Sequence, residues 1–145
     1  MNRKEIATME EIIRDIMTKK VITIDECSTA LDAAKLMAEK GISSLIVLNE
    51  GNPVGIVTER DFVKKICIKE VQISKVKIKD IMSKLRTFAD PETPIEVAVQ
   101  RMVNHKIRRL PILENGKLVG IITVTDLAKH LRTTLLIEGA LSGEY

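Results

Sequence analysis

Two stretches of this sequence set a hydroxyl three residues ahead of a carboxylate, Thr58 to Asp61 and Thr123 to Asp126. At that spacing the pair can cap a helix, because both side chains accept hydrogen bonds from backbone amides near the first turn. A carboxylate there also repels a phosphate that the helix dipole and free amides would otherwise attract. An anionic ligand beside Asp126 must therefore find its cation elsewhere. Arg108 and Arg109 are the nearest candidates, since guanidinium groups suit bidentate contact with phosphate. Neighbours on a strand face opposite ways, so one of the two arginines is expected to point into the site. The first stretch lacks this anchor, with Ser43 and Ser44 where the second has the arginines and only Arg60 to compensate. The two sites should be unequal, with the one at Asp126 the tighter.

Other chemistries lack their parts. There is no G-x-S-x-G elbow, no G-x-x-x-x-G-K loop and no local pairing of Cys with His, so no enzyme is expected. Cys27 and Cys67 stand apart, and the histidines are His105 and His130, which predicts neither a disulfide framework nor a metal site. A net charge of +3 comes from 23 basic and 20 acidic residues spread along the chain, and Phe62, Phe88 and Tyr145 are the only rings. Nucleic-acid binding is therefore not expected, since single strands are held on aromatic platforms. The basic run Lys75, Lys77, Lys79, Lys84 and Arg86 reads as a solvated linker face. No apolar run approaches the roughly eighteen residues that span a bilayer, and Met1 precedes a charged amphipathic stretch, so a cytoplasmic location and no membrane are expected.

The elements that must position these residues are written twice. A shift of 65 residues aligns Asp15 to Ile66 with Asp80 to Leu131 without a gap. Asp15-Ile16-Met17 recurs as Asp80-Ile81-Met82, and Gly55-Ile56-Val57-Thr58 recurs as Gly120-Ile121-Ile122-Thr123. Repeats of this kind outrank other cues to architecture. Each copy begins with a short strand, Val21 to Ile24 or Thr87 to Ala89, followed by a helix. Ala30, Ala33, Ala34 and Met37 form the buried stripe of the first helix, and Ile95, Ala98, Val99 and Met102 that of the second. Gly41 should close the first helix, and Thr93-Pro94-Ile95-Glu96 should cap the second. Two apolar runs then pair across Gly51 or Asn115-Gly116, Ser44 to Leu48 with Val54 to Val57 and Leu110 to Leu113 with Val119 to Ile122. A closing helix follows Thr58 or Thr123, so each copy is β-α-β-β-α and the fold class is α+β (α/β). Residues 1–17 should form a helix carrying Ile6, Met9, Ile13 and Ile16 on one face. Repeat 1 then covers 15–70, an extended linker or edge strand 71–79, repeat 2 80–138, and a frayed tail 139–145.

These residues resemble a CBS domain pair, or Bateman module. The resemblance rests on Asp15-Ile16-Met17-Thr18, Gly55-Ile56-Val57-Thr58-Glu59-Arg60-Asp61, Arg108-Arg109-Leu110-Pro111-Ile112 and Gly120-Ile121-Ile122-Thr123-Val124-Thr125-Asp126. It implies two repeats packed about a pseudo-twofold axis. It also implies clefts between them for AMP, ADP, ATP or S-adenosylmethionine, and pairing of two modules into a homodimer. By the same resemblance Asp61 and Asp126 would accept from ribose hydroxyls, and Thr58 and Thr123 would touch ribose or phosphate. With so few rings, adenine would lie among Ile22, Ile24, Ile46, Ile56, Pro111 and Ile121. The implied function is ligand sensing read by an effector protein in trans. The alternative is a structural dimerisation or docking module without a nucleotide.

Overall fold

The chain reverses twice through the same two-residue turn. Glu50 and Gly51 adopt φ of 50° and 81°, and Asn115 and Gly116 adopt 52° and 76°, a left-handed pair whose twist matches that of the strands it joins. The computed structural model describes residues 11–142. Its described residues gather into two compact units, 21–86 and 11–20 with 87–142.

In the unit Val21–Arg86 one sheet runs β1 (Thr23–Asp25), β2 (Ser44–Asn49), β3 (Asn52–Thr58) and β4 (Ser83–Lys84), in that order. β1 lies parallel to β2, and the other neighbours are antiparallel. Helix α1 (Ala30–Lys40) makes the crossover and buries Ala30, Ala33 and Met37 against the sheet. Its start is a reciprocal cap. The Thr29 amide donates to Asp32 Oδ2 and the Asp32 amide to Thr29 Oγ1, each at 3.1 Å. The first of these bonds, then a side-chain bond from Thr29, holds the Asp32 carboxyl below its ordinary range, because both favour the charged form. Gly41 ends the helix at φ 64°, as expected. After β3 comes α2 (Glu59–Phe62), which continues as a π-type turn over Val63–Cys67.

Residues 71–79 are extended only in part, at Gln72, Val76 and Lys77, the last of which bridges Thr29. Ile73–Lys75 forms a 3-10 turn, and α3 (Ile78–Ile81) begins within the segment. Burial overrides the partial alternation of polar and apolar residues here. Ile73 and Val76 pack on the core, Ile78 is fully buried in it, and the Ala30 amide donates to the Val76 carbonyl at 2.7 Å.

The second unit contains α4 (Ile95–His105), the hairpin β5 (Arg109–Glu114) and β6 (Lys117–Thr123), and α5 (Val124–Ser142). Of the expected strand Thr87–Ala89 only Ala89 pairs, parallel to Ile112, while Thr18 bridges Ile121 on the far side. The order Ala89, β5, β6, Thr18 therefore repeats β1, β2, β3, β4. Both hairpins also slip register at one equivalent place, Val47/Leu48 and Ile112/Leu113. The cap expected at Thr93 is absent, because α4 starts one residue later with Pro94 at the N-cap. Thr93 Oγ1 accepts from the Asp90 amide at 3.1 Å instead. Ile6 and Met9 of the expected leading helix lie outside the described residues. Ile13–Asp15 is a single 3-10 turn, fastened where the Ile13 amide donates to the Thr93 carbonyl and the Ile95 amide to the Glu11 carbonyl. Helix α5 continues through Gly139 to Ser142, so these four residues are not a frayed tail. Strong helix formers such as Leu135, Leu136 and Glu138 offset the cost of the glycine there.

The segment that opens each repeat thus packs with the other repeat's hairpin. Ile13, Ile16 and Met17 join the cluster of Leu110, Ile112 and Ile122, whereas Ile78, Ile81 and Met82 join that of Leu45, Val47 and Val57. A Cβ on Gly120 would stand 2.7 Å from Met17 Sδ and 3.1 Å from the Thr18 carbonyl oxygen. On Gly55 it would stand 2.7 Å from Met82 Sδ and 2.8 Å from the Ser83 carbonyl oxygen. The recurrence of Asp-Ile-Met and of Gly-Ile is one contact seen from its two sides. Either Gly→Ala substitution is expected to cost about 1–3 kcal/mol by overpacking, read from the midpoint of urea unfolding. Wild-type midpoints in both variants would contradict this packing.

Candidate functional site

In each hairpin, strand alternation separates a core face from a second face. Leu45, Val47 and Val57 face the core, so Ser44 and Ile46 share the other face with their cross-strand partners Thr58 and Ile56. Likewise Leu110, Ile112 and Ile122 face the core, and Arg109 and Pro111 share the other face with their partners Thr123 and Ile121. Of the two arginines, then, Arg109 stands beside Thr123. Arg108 is exposed, and its carbonyl accepts from the Val124 amide at 3.0 Å, which sets where α5 begins. Ile46 and Pro111 are buried, while Ile56 and Ile121 are half-buried. Ile24 pairs with Val47 and belongs to the core, and Ile22 packs on the same cluster. These two residues lie on the core side and not on the face of Thr58.

The Thr-x-x-Asp spacing does cap both helices. The Thr123 amide donates to Asp126 Oδ2 at 2.9 Å, the Thr123 hydroxyl donates to the same oxygen at 3.0 Å, and the Asp126 amide lies 3.1 Å from Thr123 Oγ1. A further hydroxyl, that of Thr18, reaches Asp126 Oδ1 at 3.3 Å. Asp126 is half-buried, and among the described residues its Oδ2 is committed to Thr123 and its Oδ1 is touched by one neutral donor. That oxygen can take hydroxyl donors from a ligand. Across the hairpin Arg109, the partner of Thr123, adds positive charge beside this acceptor.

The equivalent edge of the other unit is arranged differently. The Thr58 amide donates to Asp61 Oδ2 at 2.8 Å and the Thr58 hydroxyl lies 3.3 Å from it. Lys65 Nζ stands 3.1 Å from Asp61 Oδ1 and donates to the Ile81 carbonyl at 2.6 Å. Arg60 is exposed in the first turn of α2. Thr18 and Lys65 are the contributors that sequence reasoning missed. Thr18 arrives through the exchanged opening segment, and Lys65 through the turn after α2. His105 and Lys106 are exposed at the end of α4, where Lys106 closes the helix at φ 53°. Among the described residues no group of three or more His, Cys, Asp or Glu could hold a metal ion. Nor is any described helix long and apolar enough to cross a membrane.

The model of the CBS domain matches this chain twice, over residues 13–67 and 78–133. The chain belongs to the CBS-domain family. An uncharacterized protein of Methanopyrus kandleri is 38% identical over 117 residues, which are 79% of this chain and 60% of that protein. This CBS chain therefore spans less than two thirds of that relative's length. Among solved structures, a candidate signal-transduction protein with CBS domains from Burkholderia ambifaria is 34% identical with a TM-score of 0.72, covering 78% of this chain and 83% of that one. A hexameric CBS-CP12 protein from bloom-forming cyanobacteria is 36% identical with a TM-score of 0.72, covering 81% of this chain and 66% of that one. The two solved structures share the α+β fold of this chain.

Proposed function

We propose that this CBS pair is a regulatory module that binds an adenosine-containing nucleotide and signals to a partner protein in trans. AMP, ADP, ATP and S-adenosylmethionine share the adenosine group that the site would hold. One observation carries the reading: among the described residues Asp126 Oδ1 meets a single neutral hydroxyl, on the edge that Arg109 and Thr123 share. Two ribose hydroxyls can donate to a carboxylate so placed, in bonds about twice as strong as neutral ones. Arg109 then supplies the charge that an anionic group requires, as Asp126 itself repels it. Pro111 and Ile121 on the same face give the base an apolar neighbour. The role is sensing, since the groups at this edge suit holding and orienting a ligand and the related signal-transduction protein carries CBS domains. A homodimer in the cytoplasm is the assembly and location that suit such a sensor, and the hexameric relative supports self-association.

Thermal unfolding in a panel of adenine nucleotides, S-adenosylmethionine and guanine nucleotides tests the proposal. A binder adds RT ln(1 + [L]/Kd), roughly 2.7 kcal/mol at a hundredfold excess over Kd. A rise with the adenosine compounds alone is expected. Unchanged melting with every compound would leave the docking-module alternative.

A further inference from the structure

Under the repeat shift position 65 corresponds to position 130, yet one is lysine and the other histidine. The consequences for the two carboxylates differ. Asp61 is buried, its Oδ2 held by Thr58 and its Oδ1 by the Lys65 ammonium, which is fixed in turn by the Ile81 carbonyl. Among the described residues no such cation stands at Asp126 Oδ1. His130 Nε2 instead lies 3.8 Å from Glu11 Oε1. A vicinal diol arriving at Asp126 replaces one neutral hydroxyl with two. At Asp61 it must break a charge-assisted bond and leave an ammonium without its carboxylate, which costs more than neutral donors return.

We infer that Lys65 is a specificity-determining residue, the internal occupant of the first carboxylate, and that it restricts diol binding to one site per chain. The inference rests on the adenosine reading above and deepens it. It does not depend on the phosphate anchor, so a neutral probe isolates it.

Calorimetry of the full chain with adenosine, and with 2′,3′-dideoxyadenosine as the diol-free control, tests it. The wild type should take up one adenosine per chain. Asp61→Asn should keep that site, and Asp126→Asn should weaken it at least about tenfold, as loss of hydrogen bonds to a charged group implies. Lys65→His, which installs the residue of the other repeat, and Lys65→Met should each raise the count to two, with dideoxyadenosine filling neither site. Melting curves show that the variants are folded. Two adenosines per wild-type chain, binding lost in Asp61→Asn, or a single site in both folded Lys65 variants would overturn the inference. No adenosine uptake by the wild type or either Lys65 variant would overturn the adenosine reading itself, and the inference with it.

Discussion

Replacing Ile13 with alanine is expected to destabilise the protein by about 2–5 kcal/mol, the range for truncating a buried aliphatic side chain whose cavity cannot collapse. Ile13 is fully buried, although it precedes the first repeat's strand by ten residues and lies on a single 3-10 turn. Its neighbours are Leu110, Ile112 and Ile122 of the second hairpin. A double-mutant cycle makes the partnership specific. Ile13→Ala with Leu110→Ala should be non-additive by about 0.5–3 kcal/mol, because both empty one cluster. Ile13→Ala with Leu45→Ala should add, since Leu45 belongs to the separate cluster with Ile78. Urea unfolding of the three single and two double variants measures both. The reverse pattern, coupling to Leu45 and independence from Leu110, would mean that each opening segment folds onto its own repeat.

Replacing Asp126 with alanine is expected to lower affinity for an adenosine nucleotide by about 10- to 150-fold, the equivalent of roughly 1.5–3 kcal/mol for hydrogen bonds to a charged group. The same substitution removes the acceptor of the Thr123 amide and hydroxyl, so about 0.5–2 kcal/mol of stability should go with it. Asp126→Asn separates the two effects. An amide oxygen can still cap the helix, so the melting temperature should stay close to that of the wild type. Affinity should nevertheless fall by a similar factor, because the negative charge that strengthens the ribose contacts is gone. Calorimetry beside thermal unfolding gives both quantities for each variant. Wild-type affinity in Asp126→Asn would show that the carboxylate only caps α5.

The parts of this fold that were legible in the sequence are those decided locally. Asn115-Gly116 and Gly51 announce their turns because few residues tolerate positive φ, and the alanines of α1 show its buried stripe. Thr-x-x-Asp reads as a cap at both helix starts and forms one at each. What could not be read was decided by the other end of the chain. A repeat shift says that Asp15-Ile16-Met17 and Asp80-Ile81-Met82 are equivalent, but not which hairpin each one joins, since their apolar residues would suit either. Thr18 reaches Asp126 only through that exchange, so its role was hidden. Only the register shows that Arg109, and not Arg108, lies opposite Thr123. The face of Ile24 likewise follows from its pairing with Val47 and not from its spacing in the sequence. The capping hydroxyl expected at Thr93 failed on a boundary shift of one residue. Helix ends depend on which amide finds a partner first, and Glu11 supplied that partner to Ile95.

The most direct test follows the backbone amides of the isotope-labelled protein by NMR while AMP is added. Shift changes centred on Arg109, Thr123 and Asp126, with Thr18 moving in step, are the predicted result. Changes confined to other parts of the chain, or none at saturating AMP, would contradict the assignment of this edge as the nucleotide site.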